Sequence, residues 1–124
     1  MHIIIPKLKK YQKSILKKID HNNEYHVHGY AWFETYVTAI EQFDQWYNSL
    51  ENPSQLDTLI HKVGINEYVA DLRDGIAMSQ TERFRLDDLG YEKFDLIRDF
   101  KVFNMNSKKK MIATLIAQGQ KPSY

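Results

Sequence analysis

Hydrophobic residues recur at helical spacing along most of this chain. The longest stripe extends from about Ala31 to Leu50, where apolar side chains return every three or four positions. A second stripe follows Pro6, whose missing N–H is tolerated in the first turn of a helix. Further helical stretches are expected at residues 54–64, 66–75, 81–90, 91–100 and 107–119. Residues 81–90 form only a short helical piece, so the pattern predicts a mainly α protein, a compact bundle of five or six helices.

Two short stretches have a different pattern. Residues 1–5 contain three consecutive isoleucines, which favour a strand, and residues 24–30 alternate in the period of two that is typical of a half-buried strand. We therefore expect that a small two-stranded β element could form from residues 1–5 and 24–30. The last five residues, QKPSY, are expected to fray because they follow the glycine that ends the final helix.

The composition is that of an ordinary globular protein. The 124 residues fit a single domain, 1–124, with 43% hydrophobic and 27% charged residues. Cysteine is absent, which excludes a disulfide framework and a thiol nucleophile and suits a reducing cytoplasm. No apolar run approaches the ~18 residues that a membrane span requires, and the first residues lack the apolar core of a signal peptide. We expect a soluble, cytoplasmic protein with no membrane partner.

The net charge of +1 conceals a segregation along the chain. Residues 1–20 and 101–124 together contain eleven lysines and one acid, a net charge of +10. Residues 21–100 contain six basic and fifteen acidic residues, a net charge of −9. Such asymmetry indicates either ends that bind a polyanion or ends that fold back on the acidic middle. The sequence leaves both alternatives open.

Two groups of three lysines, at positions 7, 9 and 10 and at 108–110, fall at the expected starts of the first and last helices, where free backbone N–H groups can receive an anion. Four acidic residues lie close to the side of the long helix opposite its apolar stripe and predict an acidic face. The predicted partner- or anion-binding residues are Lys7, Lys9, Lys10, Lys13, Lys17, Lys108, Lys109 and Lys110, and the predicted acidic face consists of Glu34, Glu41, Asp44 and Glu51.

His26 and His28 form the most suggestive chemical motif. On a strand, residues two apart point to the same side, so both imidazoles could reach one metal ion. A site would need a third ligand, and the spacing specifies none. Phosphate-binding glycine loops, the His-Glu-x-x-His motif and nucleophile elbows are all missing from the sequence. We therefore predict no metal, no cofactor and no catalytic residue.

These observations favour a small non-catalytic protein that binds a macromolecular partner, a protein or nucleoprotein, and blocks or bridges it. One version is an inhibitor or accessory factor of a nucleic-acid-processing machine, of the kind that a phage or other mobile element encodes. The alternatives are direct nucleic-acid binding through the lysine-rich terminal helices and a small metal-dependent enzyme centred on His26 and His28. The sequence does not indicate an oligomeric state.

Overall fold

The computed structural model describes residues 2–124 and confirms the mainly α class. Among these residues it contains five α-helices, one short 3₁₀ turn and one two-stranded antiparallel sheet. In chain order they are α1 (Ile4–Lys18), α2 (Glu24–Ser49), α3 (Gln55–Asp74), β1 (Ile76–Ala77), β2 (Arg83–Phe84), the 3₁₀ turn Leu86–Leu89, α4 (Lys93–Asp99) and α5 (Asn106–Ala117).

The three longest helices build the core. Helix α2 packs against both α1 and α3, and α3 also contacts α5. The buried side chains lie on one stripe of each helix, as their spacing predicts. They include Leu8, Ile15, Phe33, Val37, Ile40, Val69 and Leu72. At the ~25 cal/mol per Å² of apolar surface removed from water, this shared core is the main source of stability.

The small sheet lies elsewhere than predicted. Residues 24–30 form the start of α2, where the Asn23 side chain accepts a hydrogen bond from the His26 N–H at 3.2 Å and caps the helix. Residues 4 and 5 belong to α1. The strands are instead Ile76–Ala77 and Arg83–Phe84, joined by a tight connection. A capped 26-residue amphipathic helix thus overrides a six-residue alternation.

Two glycines bring helices and rings into close contact. A Cβ on Gly29 would lie 1.9 Å from the Phe84 ring, so strand β2 can pack this closely on α2 only because residue 29 has no side chain. Gly64, predicted to end a helix, lies inside the continuous α3, and a Cβ there would lie 2.4 Å from the Phe43 ring. The helix that the sequence divides at Gly64 is therefore one helix of 20 residues, and its glycine makes room for α2.

The final residues are anchored rather than frayed. The Ser123 N–H donates to Asp57 Oδ1 at 2.8 Å, and the Ser123 hydroxyl donates to Asp57 Oδ2 at 2.7 Å. The Trp46 indole N–H donates to the Ser123 carbonyl at 3.0 Å. Three hydrogen bonds to α2 and α3 thus fix a segment whose composition alone predicts mobility. Among residues 2–124, no helix combines the length and the apolar composition that crossing a bilayer requires.

Candidate functional site

The predicted lysines divide among three sides of the fold. On an α-helix, residues three, four and seven apart share a side, so Lys10, Lys13 and Lys17 lie together opposite the buried stripe of α1. Lys9 points toward α2, where its Nζ lies 2.7 Å from Glu41. Lys7 borders a groove described below. The structure therefore does not gather the α1 lysines into one site, since an ordinary amphipathic helix distributes them around its circumference.

The start of α1 is also a poorer anion receptor than predicted. The helix begins at Ile4, two residues before Pro6, so Lys9 and Lys10 lie beyond its first turn. The His2 ring accepts the Ile4 N–H through Nδ1 at 3.1 Å, and the His2 carbonyl accepts the Ile5 N–H at 3.1 Å. Backbone donors that would bind an anion are thus already occupied.

Lys108, Lys109 and Lys110 do lie near the start of α5, as predicted. The Lys109 ammonium group lies 2.5 Å from Glu67 on α3, which pairs the basic end with the acidic middle at this point. Of the eight predicted lysines, Lys9 and Lys109 form an ion pair with a carboxylate within the described part of the chain, and the other six do not.

The predicted acidic face does not form. Glu34 is exposed on α2, Glu41 is half-buried against Lys9, and Glu51 follows the end of α2 in the turn. Asp44 is buried, with 4% of its surface exposed, because it occupies the next position of the stripe Phe33, Val37 and Ile40. The prediction placed Asp44 on the wrong side of the helix.

Asp44 instead lies at the centre of a buried polar cluster with His61. Its Oδ1 accepts from His61 Nε2 at 3.0 Å, and its Oδ2 accepts from the His2 backbone N–H at 2.7 Å and from Asn48 at 3.2 Å. The His61 ring is stacked on Tyr47, with centroids 4.2 Å apart. Burial by itself would raise the pKa of Asp44, but the hydrogen bonds from His2 and His61 hold that pKa below its ordinary value.

Asp57 forms a second buried anchor. Burial opposes its ionisation, but the N–H groups of Ser123 and Ser54 and the Ser123 hydroxyl lower the pKa of Asp57 to about 2. The carboxylate also completes the capping box of α3 with Ser54. We call Asp44, Asp57, His61 and Ser123 the anchored cluster. Among the described residues, no buried side-chain nitrogen or oxygen lacks a hydrogen-bond partner. The buried polar atoms of the cluster are therefore all hydrogen-bonded within the protein.

His26 and His28 do not point to a common ligand. Both lie in the first turns of α2, where residues two apart are separated by about 200° around the axis. The His26 ring accepts the Asp20 N–H through Nδ1 at 2.9 Å and so closes the turn before the helix. Nowhere between residues 2 and 124 do three His, Asp or Glu side chains come close enough together to hold a metal ion. The same-side geometry expected from a strand is therefore wrong.

An apolar groove of about 380 Å³ lies between the start of α1, the middle of α3 and residues 99–105. A water molecule occupies about 30 Å³ in the liquid, so the groove has room for far more than a few waters and can receive side chains. The apolar residues that line it are Ile3, Ile4, Ile65, Val69, Phe103 and Met105. Lys7, Lys62 and Lys101 also line it, together with Asp99. We call this feature the lysine-rimmed groove.

One side of the groove is held in place by Asn66. Its Nδ2 donates to the Phe103 carbonyl at 3.0 Å, and its Oδ1 accepts the Phe103 N–H at 2.8 Å. These two bonds replace the pairing that a neighbouring strand would give an extended backbone. Ile3 and Phe103 nevertheless remain 88% and 61% exposed at the groove. The backbone at Phe103 is thus held by α3 while the Phe103 side chain remains largely exposed.

Sequence reasoning missed most of this groove. Lys7 is among the predicted binding residues, but Lys62, Asn66 and Phe103 are not. Lys62 and Asn66 lie on α3 and Phe103 lies in an extended segment, and only the tertiary fold brings them together. The run KVFNMN did contain a signal, since Val102, Phe103 and Met105 are apolar residues in a stretch without helical periodicity. Apolar residues outside any predicted element are candidates for an exposed binding surface.

Comparison with known proteins gives one partial similarity. Over 72 residues the chain is 36% identical to (2S)-methylsuccinyl-CoA dehydrogenase of Cereibacter sphaeroides. The match covers 56% of this chain but only 13% of the dehydrogenase, so the chain corresponds to a small part of that protein. No family model matches the chain. No solved structure matches it significantly.

Proposed function

We propose that this chain is a non-catalytic interaction module that binds an acyl-CoA dehydrogenase, on the same polypeptide or on another. The observation that supports the dehydrogenase as partner is the 36% identity to a stretch that makes up 13% of (2S)-methylsuccinyl-CoA dehydrogenase. Because this part of the dehydrogenase is so small, we assign it a role in binding to the catalytic domain rather than in the reaction itself. This chain would then provide a surface for a catalytic domain.

The chemistry of the described residues supports a binding role. The buried carboxylates Asp44 and Asp57 each accept three hydrogen bonds from other residues of the chain. These bonds tie both groups to the fold, which favours a structural role for them over proton transfer to a substrate. The apolar groove, by contrast, presents the largely exposed side chains of Ile3 and Phe103, and exposed apolar patches are typical of protein–protein contact surfaces.

The proposal is tested by recovery and reconstitution of the complex. The chain, tagged after Tyr124 through a flexible linker, is cross-linked and purified from the cells that encode it. We expect an acyl-CoA dehydrogenase polypeptide in the cross-linked product, and a stoichiometric complex when the purified enzyme and the purified chain are mixed in analytical ultracentrifugation. The tag and linker alone are the control. Recovery of no dehydrogenase, or an enzyme that sediments independently of the chain, would contradict the proposal.

Direct nucleic-acid binding is a second candidate, favoured by the six predicted lysines that have no carboxylate within 4.0 Å in the structure of residues 2–124. It predicts a mobility shift that weakens steeply with salt, because bound phosphates release counterions. Replacing Lys108, Lys109 and Lys110 by glutamine would then reduce both the affinity and its salt dependence. The narrower expectation of an inhibitor encoded by a mobile element is supported by the charge layout alone.

A further inference from the structure

We infer that the lysine-rimmed groove is the docking site of this module, and that its occupant is a segment of the partner protein in which apolar side chains are flanked by carboxylates. The inference rests on the proposed function, because it names the surface by which a dehydrogenase would be held. It can be tested separately, since the chemistry of the groove does not depend on which protein supplies the segment.

The apolar part of the occupant follows from the lining of the groove. Ile3 and Phe103 are among the most exposed large hydrophobic side chains, and both face this opening. Ile4, Ile65 and Val69, which also line the groove, are buried and belong to the core. Transfer of apolar surface into such a site is favourable by ~25 cal/mol per Å². The exposed and the buried apolar residues of the groove therefore favour an apolar side chain in the occupant.

The charge of the occupant follows from the rim. Three lysines line the groove, and Asp99 is the one carboxylate among the described residues that line it. Asp99 is already engaged, since its Oδ2 accepts from the Tyr11 hydroxyl at 2.6 Å and its Oδ1 accepts from Arg98 at 3.1 Å. Lys7, Lys62 and Lys101 form no ion pair within 4.0 Å in the described part of the chain. Their unpaired ammonium groups are complementary to carboxylates on either side of the inserted residue.

The fixed backbone explains why this surface suits recognition. The two hydrogen bonds from Asn66 hold residue 103 against α3 before any partner arrives. A preorganised site loses less conformational freedom on binding than a mobile loop. The occupant can therefore bind without a rearrangement of residues 101–105, and the lysine side chains adapt to it.

The test uses two synthetic peptides and ¹⁵N NMR of the complete chain. One peptide is acetyl-Asp-Asp-Phe-Leu-Asp-Asp-amide, and in the other the four aspartates are replaced by lysines. We expect the acidic peptide to shift the amide signals of groove residues such as Ile4, Val69 and Phe103, and the basic peptide to leave them in place. Equal binding of both peptides, perturbation confined to other surfaces, or no perturbation at millimolar peptide would overturn the inference.

A matched pair of variants identifies the charges responsible. Replacing Lys7, Lys62 and Lys101 by glutamine should weaken the acidic peptide by about tenfold, given the modest contribution of each exposed pair. Replacing Lys10, Lys13 and Lys17, which lie on the outer side of α1, should leave its affinity within twofold of wild type. Equal losses in both variants would mean that net charge, and not the groove, attracts the peptide, and would overturn the assignment.

The same variants separate this inference from the proposed function. If the acidic peptide occupies the groove but no acyl-CoA dehydrogenase forms a complex, the docking site stands and the dehydrogenase as partner fails. If the dehydrogenase binds both lysine variants equally well and hydrogen exchange protects a surface other than residues 2–7 and 99–105, the function stands and the docking site fails.

Discussion

The anchored cluster and the lysine-rimmed groove both depend on α3 but differ in how their side chains are satisfied. In the cluster, Asp44 and Asp57 are buried and each accepts three hydrogen bonds from other residues of the chain. At the groove, Ile3 and Phe103 remain largely exposed, although the backbone at Phe103 is held by Asn66. Buried ionisable groups in this chain therefore maintain the fold, whereas the proposed binding surface consists of exposed apolar residues that the fold does not cover.

Loss of Asp44 should have the largest effect on stability. Asp44→Ala leaves His61 Nε2 and the His2 N–H without their acceptor in a buried site, so we expect the free energy of unfolding to fall by about 3 kcal/mol. Urea denaturation followed by circular dichroism measures this. Glu34→Ala, on an exposed position of the same helix, is the control and should change it by less than about 0.5 kcal/mol. Equal effects would remove the distinction between cluster and surface.

Protonation of Asp57 should have the next largest effect. Its folded-state pKa of about 2 lies below the ordinary value of 3.8, so its contribution is complete above pH 3.8 and is lost as the pH falls through about 2. Asp57→Asn should therefore lower the unfolding free energy by about 2 kcal/mol at pH 7 and by much less at pH 2. Denaturation curves at the two pH values give the difference. A variant whose loss is the same at both would show that ionisation of Asp57 is not the cause.

Asn66→Asp should give a smaller and local effect. The carboxylate keeps an acceptor for the Phe103 N–H but loses the donor to the Phe103 carbonyl, at a cost of about 1 kcal/mol. Amide hydrogen exchange should accelerate at residues 101–105. Residues 54–61, which include Asp57 and His61 of the anchored cluster, should keep their wild-type rates. Faster exchange in both regions would indicate that groove and cluster are one cooperative unit.

Much of the fold could be predicted because helical periodicity records burial directly. The stripes of α1 and α2 and the mainly α class follow from spacing alone. The strand expected at residues 24–30 was wrong because capping by Asn23 and the close approach of Phe84 to Gly29 decide that segment, and neither is visible in a period of two. The helix end predicted at Gly64 is wrong for the same reason, since the contact of Gly64 with Phe43 is tertiary.

The candidate site was less predictable. Asp44 could have been placed correctly, because it falls four positions after Ile40 on the buried stripe. The groove could not, since Lys7, Lys62 and Phe103 approach one another only when α1, α3 and the segment before α5 have packed. Charge counts along the chain identified the lysines but not which of them share a surface. A charge pattern gives the positions of the lysines along the chain, whereas the surface that they share depends on how the helices pack.

The double variant Ile3→Ser/Phe103→Ser tests whether these exposed side chains bind the partner rather than stabilise the fold. Its stability and its complex formation are measured together. Both side chains are exposed, so we predict that the unfolding free energy stays within about 0.5 kcal/mol of wild type. Affinity for the reconstituted dehydrogenase should fall by about a hundredfold, as expected when two central apolar contacts are lost. A variant that unfolds more easily but binds as tightly as wild type would contradict the claim that these residues serve a partner.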